Sequence, residues 1–216
     1  MVSLELEQRL WGRGIPLVAF CDEVGRGPLL GSVVAAAVIL PVGLYIEGVD
    51  DSKKLTTKKR ETLHDIIYEH ALAVGIGEVD NRHIDKMNIL QASRLAMQKA
   101  ILNLKNKEGV SVTPDYLLID GRETIDLDLP QEGIIHGDAI SHGIAAASIL
   151  AKVFRDRRCL EWHCRYPEYG IADHKGYCTR THLDALLKLG PTSIHRLTFL
   201  KKIIAKATVE QQVLFK

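Results

Sequence analysis

Three apolar stretches of this chain stop on an acid beside a glycine or turn. Leu17-Val18-Ala19-Phe20-Cys21 runs into Asp22-Glu23, Leu117-Leu118-Ile119 into Asp120-Gly121, and Ile134-Ile135 through His136-Gly137 into Asp138. Short apolar runs rich in branched residues and bounded by glycine read as strands buried in a sheet. A carboxylate left at the end of such a strand is costly unless water, a partner or a cation compensates it. A fold that satisfies all three together gathers the strand ends around a divalent cation, and that requirement limits the topologies open to the chain.

The remaining pattern supplies the other layers. Ile15 to Cys21, Gly31 to Leu40, Val74 to Val79 and Tyr116 to Ile119 read as strands, and Ile134-Ile135 as the start of another. Lys58 to Ala71 carries Leu63, Ile66, Ile67 and Ala71 at helical spacing behind Thr56 or Thr57 as a cap. Helices are also predicted from about Asn88 to Leu104, from Ile144 to Trp162, from Arg180 to Lys188, and from Leu197 to Phe215. Strands first, then helices alternating with strands, describe a three-layered α/β unit with a C-terminal helical appendage.

At 216 residues and 46% hydrophobic content the chain can bury one full core. The longest apolar stretch, Val33 to Leu40, is too short to span a bilayer, and Met1 to Leu10 lacks the apolar centre of a signal peptide, so a cytoplasmic protein is expected. Cys21, Cys159, Cys164 and Cys178 form no CxxC pair and read as reduced thiols. Lys plus Arg is 28 against 27 for Asp plus Glu, so overall charge does not advertise a nucleic-acid partner. The local basic stretches, Lys53 to Arg60, Arg155 to Arg158 and Lys201 to Lys206, read as solvated faces.

A few carboxylates plus a substrate phosphate suit Mg²⁺, and two such ions can run a phosphodiester displacement. For Asp120 and Asp138 taken singly the competing reading is a turn residue or helix cap. Adjacent strand residues face opposite ways, so Asp22 and Glu23 share a site if the strand ends there and the glycines beyond let Glu23 swing round, or if Glu23 reaches a metal by a longer path than Asp22 takes. Gly25, Gly27 and Gly31 sketch a dinucleotide fingerprint, but Pro28 and then Ser32-Val33-Val34-Ala35 lead into a strand where that motif needs a helix. The loop's bare backbone better suits a sugar hydroxyl or a phosphate.

Together, Asp22-Glu23-Val24-Gly25-Arg26-Gly27-Pro28-Leu29, Asp51-Ser52-Lys53-Lys54-Leu55, Ile119-Asp120-Gly121, Gly137-Asp138, Ile144 to Lys152, and His174-Lys175-Gly176-Tyr177 resemble bacterial ribonuclease HII, in order from Val18 to Phe199. The resemblance implies an RNase H-like fold, a mixed five-stranded sheet flanked by helices. It implies a catalytic domain over residues 1–165, and over 166–216 a helical region that holds the duplex within the same compact unit. The implied activity is cleavage of the RNA strand of RNA/DNA hybrids and nicking 5′ of single ribonucleotides in duplex DNA, leaving 3′-hydroxyl and 5′-phosphate ends. Asp22, Glu23, Asp120 and Asp138 would hold two Mg²⁺ or Mn²⁺ ions, one activating water and one steadying the leaving 3′-oxygen. Gly25, Arg26 and Gly27 would read the ribose 2′-hydroxyl. Tyr177 would pack on the next sugar, and Lys152, Ser52, Lys53 and Lys175 would contact the backbone. A monomer is expected, with Gln211-Gln212-Val213-Leu214-Phe215 faintly like a peptide that binds a sliding clamp.

The chain departs from that pattern at Val24, at Ser32 where proline is usual, at Gly143, and at Cys178 beside Tyr177. None removes a ligand. The resemblance favours type HII over type HIII, because Gly-Arg-Gly is kept and only a short leader precedes the first strand. A Mg-ATP phosphotransferase on the same broad fold would need phosphate loops and a second domain. A silent nucleic-acid binding module would not need four carboxylates.

Overall fold

The computed structural model describes residues 2–122 and 124–201. Its elements run α1 (Glu5–Trp11), β1 (Val18–Val24), β2 (Val33–Ile39), α2 (Thr57–His70), β3 (Ala73–Val79), α3 (Asn81–Met87), α4 (Ile89–Leu102), β4 (Tyr116–Asp120), β5 (Gln131–Ile134), α5 (Gly137–Ile140), α6 (His142–Arg165), α7 (Ile171–His174) and α8 (Arg180–Leu189). The sheet order is β3-β2-β1-β4-β5. The first three strands are antiparallel and β4 and β5 join in parallel. This is the mixed five-stranded sheet flanked by helices that the family resemblance implies.

Alternation along the strands builds two cores. Phe20, Ala36, Val38 and Leu118 face α2 and α6, while Ala19, Cys21, Ala35, Ala37, Leu117 and Ile119 face α4. Every residue of β2 is buried, which accounts for its unbroken apolar run. The small residues of α6 let it lie close on the sheet. At Gly143 even a Cβ would strike the Phe20 ring, so this departure fits close helix–strand packing. Thr56 caps α2 through its bond with the Lys59 amide.

Several elements differ from the sequence-based expectation. Residues 5–11, read as a leader, form α1, whose buried Glu7 accepts from Ser141 Oγ at 2.7 Å and from the Gly143 amide at 2.9 Å, tying α1 to the start of α6. The last strand ends at Ile134 rather than beginning there. As an edge strand paired only with β4, it lacks the two-sided burial that writes an apolar run. Residues 197–201 are helical, and the rest of the predicted last helix, with the clamp-like residues 211–215, lies outside the described residues.

A third cluster joins the two halves of the chain. Leu29 and Leu30, after β1, pack with Cys159 and Trp162 of α6 and with Tyr169, Ile171, Ala185, Leu186 and Leu200. The loop after β1 is therefore seated on the C-terminal segment. Among the described residues no helix is long and apolar enough to cross a membrane.

Candidate active site

Strand register brings the first acids together. β1 and β4 run side by side as far as Cys21 and Ile119, and the next residue on each strand is Asp22 or Asp120. Both therefore emerge on the α6 face where the parallel ladder stops. The expectation that β1 ends before Asp22 is corrected: β1 continues to Val24, paired with Val34 of β2. Convergence with Glu23 does not need the strand to stop: β1 has no β4 partner beyond Cys21, and the longer Glu23 side chain reaches the same point as Asp22 and Asp120. Ligand oxygens of Asp22, Glu23 and Asp120 all lie within 4.8 Å of one another.

These carboxylates are crowded and dry. Asp22 is 5% exposed, and burial followed by the charges of Glu23 and Asp120 holds its carboxyl well above the ordinary range, against a bond from Ser148. Burial also raises Glu23, opposed by Arg26, whose Nη1 lies 3.1 Å from Glu23 Oε1. Asp120 is raised by burial and then by Asp138, although it accepts from the Gly137 amide at 2.7 Å. Glu23 Oε2 is buried without a hydrogen-bond partner. Three oxygen donors whose charges repel, one of them with an orphaned buried atom, suit a hard divalent cation.

Asp138 stands next to this cluster. It lies in the first turn of α5, buried, and its Oδ2 accepts from Lys53 Nζ at 2.7 Å. Partial burial lowers the Lys53 ammonium, but the bond to Asp138 and the charges of Asp138, Asp51 and Asp22 outweigh it and carry the pKa up. Ser52 is buried and shares a 2.9 Å hydrogen bond with Ser148. Lys152 lies one turn before Asp156 and ion-pairs with it at 2.7 Å. On the α4 face a cavity of about 230 Å³ opens beside the carboxylates, lined in part by Glu23, Arg26, Ser93, Asp120 and Arg122.

Behind the acids, the Gly25-Arg26-Gly27 loop is held from inside the protein. Gly25 has φ +93°, and a Cβ there would collide with Arg155. Arg155 is fully buried and donates to Ser32 O at 3.4 Å and Lys175 O at 3.2 Å. This corrects the reading of its basic stretch as a solvated face: Arg155 turns inward while Arg157 and Arg158 bond Glu61 and Glu78. Lys175 itself adopts a left-handed backbone, φ 51°.

Arg196, unmarked in the sequence, is also fully buried. It donates to Gly31 O at 2.9 Å, Arg26 O at 2.9 Å, Gly25 O at 2.6 Å and Ser32 O at 3.1 Å. No period or motif surrounds it, so the sequence held no local sign of this role. Burial, and then Arg155, lower its guanidinium to about 9, still cationic at neutral pH. Ser32 at the usual proline position adds a hydrogen bond to Glu78. Tyr177, 45% exposed, lies with its ring edge 3.4 Å from where a Gly27 Cβ would stand, and the neighbouring Cys178 is an exposed thiol. A carboxylate cluster, a bare loop and an exposed ring thus line one face.

Comparisons with known proteins place the chain by sequence and by fold. The family model for ribonuclease HII matches residues 20–202. The ribonuclease HII of Alkaliphilus metalliredigens is 57% identical over 204 residues, covering 94% of this chain and 100% of that protein. The ribonuclease H2 of Pyrococcus horikoshii superposes with a TM-score of 0.67 at 25% identity, over 84% of this chain and 92% of that one. A Bst ribonuclease HIII solved in complex with Mn²⁺ shares the fold at TM-score 0.65 and 17% identity, over 91% of this chain and 71% of that one.

Proposed function

The chain belongs to the ribonuclease HII family, and from that premise we propose that Asp22, Glu23, Asp120 and Asp138 form the divalent-metal centre of an endoribonuclease that also nicks 5′ of single ribonucleotides in duplex DNA. It is an endoribonuclease acting on the RNA strand of RNA/DNA hybrids, and metal-dependent hydrolysis is its chemistry. The observation that carries the assignment of the site is the meeting of three carboxylates from neighbouring strands within 4.8 Å, beside a glycine loop.

Each group has a task in this reading. Asp22, Glu23 and Asp120 supply the inner oxygens, with Asp138 entering from α5 once Lys53 yields it or shares it. Two Mg²⁺ or Mn²⁺ ions, when bound, polarise the scissile phosphate and lower the pKa of a water. The crowded carboxylates are relieved by that charge, so their repulsion in the metal-free fold favours cation binding. Gly25, Arg26 and Gly27 present backbone to the ribose, where the 2′-hydroxyl distinguishes RNA from DNA. Tyr177 packs its exposed ring on the following sugar. Lys53, Lys175, Ser52 and Lys152 line the path of the backbone, and residues 166–216 hold the duplex. In this reading the enzyme acts as a monomer.

A labelled DNA duplex carrying one ribonucleotide tests the assignment. It should be cut on the 5′ side of the ribonucleotide with Mg²⁺ or Mn²⁺, and remain whole in EDTA. Intact substrate in every condition would remove the nicking activity.

A further inference from the structure

Under Tyr177 the protein buries histidines in an ordered hydrogen-bond chain. His195 Nδ1 faces the Thr192 amide at 2.9 Å, the Nε2 atoms of His195 and His182 lie 3.1 Å apart, and His182 Nδ1 is 2.9 Å from the Tyr177 carbonyl oxygen. The two ends fix the protons independently. An amide only donates, so His195 Nδ1 is bare and its proton sits on Nε2. A carbonyl only accepts, so His182 carries its proton on Nδ1 and leaves Nε2 bare. The middle contact is then an N–H of His195 donating to His182, as both ends require.

His174 completes the group. Its ring stacks on His182, with centroids 4.3 Å apart and planes 12° from parallel. Its Nδ1 accepts from the Gly176 amide at 3.0 Å, so its Nε2 donates to Tyr169 O at 2.7 Å. The carbonyl of Tyr177 and the amide of the preceding Gly176 are therefore both held by imidazoles. The relay's anchor is also the loop's anchor: His195 bridges to Leu30, the Arg196 amide donates to Leu29 O at 2.8 Å, and the Arg196 side chain grips Gly25 and Arg26.

We propose that His182 and His195, with His174 stacked on them, are positioning residues that fix the Tyr177 ring over Gly27 and so set the enzyme's preference for the ribonucleotide-to-DNA junction. The proposal rests on reading Tyr177 and Gly25 to Gly27 as the sugar-recognising elements. Every bare nitrogen in the group already faces an N–H, so an added proton would set donor against donor. Burial, and then His182, push His195 down to about 4, and burial lowers His182 as well, which keeps the relay neutral.

Two measurements decide it. In ¹⁵N spectra of the full chain at neutral pH, His182 should show a protonated Nδ1 and His195 a protonated Nε2. The same tautomer on both rings, or a charged His182, overturns the relay without any variant. Second, cleavage of a single-ribonucleotide duplex is compared with cleavage of an uninterrupted hybrid. The junction preference of His182→Leu should fall to within about twofold of that of Tyr177→Ala, and combining the two should add nothing, as expected of residues acting through one contact. His182→Asn, whose amide N–H can still reach the Tyr177 carbonyl, should restore most of the preference. His195→Gln against His195→Leu gives a second such pair if His182→Leu does not fold. A parental ratio in the leucine variants with a lowered one in Tyr177→Ala rejects the relay alone. A parental ratio in Tyr177→Ala rejects the sugar-packing reading and the proposal with it.

Discussion

Replacing Arg196 by methionine removes the buried cation while keeping most of its volume. Of the four carbonyls it serves, Ser32 O retains Arg155, and Arg26 O is part-buried and can turn to water. The carbonyls of Gly25 and Gly31 are buried at these bonds and lose their donor. Two stranded acceptors at about 1–3 kcal/mol each, less the guanidinium desolvation that methionine no longer incurs, give a loss of roughly 2–4 kcal/mol. For a chain of this size that corresponds to a fall in Tm of about 4–16 °C. The damage should be uneven, because the freed segment is the Gly25-Arg26-Gly27 loop. Cleavage at a single ribonucleotide should lose more in kcat/KM than the melting loss explains when assayed well below Tm. Arg196→Lys should recover part of both losses, since an ammonium offers three donors without the planar fork. Thermal melting and steady-state cleavage check this. A methionine variant with parental Tm and parental kcat/KM would show that the loop holds its shape without the guanidinium.

Asp138→Asn should lower cleavage by about 10–100-fold, on the scale seen when a metal site loses a supporting group, while hybrid binding in a gel shift persists; a parental rate would leave Asp138 as an acid in the first turn of α5. The raised carboxyls also predict a pH-dependent response to metal. Asp22, Glu23 and Asp120 hold their protons more tightly folded than unfolded. Their contribution to metal-free stability is therefore fully present below the unfolded carboxylate pKa of about 4 and is lost as pH rises through their raised values. Added Mn²⁺ should raise Tm more at pH 8 than at pH 5, and Asp22→Asn should shrink that increment. Equal increments at both pH values in the parent would refute the linkage between these carboxyls and the cation.

Much of the molecule was readable along the chain because its signals are local. The apolar runs of β1, β2 and β4, the stripes on α2 and α4, and the alanines of α6 each announce an element within a few residues. Acids closing apolar runs marked Asp22, Glu23 and Asp120, and ordered motifs marked Gly25 to Gly27 and Tyr177. The edge strand β5 was misplaced because one-sided pairing leaves little hydrophobic trace.

What the sequence by itself determined is the layer architecture and the acids' approximate place, since burial period and unpaired charge are written residue by residue. Only the tertiary structure decided how Glu23 joins Asp22 from within a continuous strand, because that depends on where the neighbouring ladder stops. It alone assigned Arg155 and Arg196 to the interior and His182 and His195 to the underside of Tyr177. An arginine or histidine reads the same in sequence whether water or a distant carbonyl satisfies it, and the choice is made by contacts spanning up to 171 residues of chain.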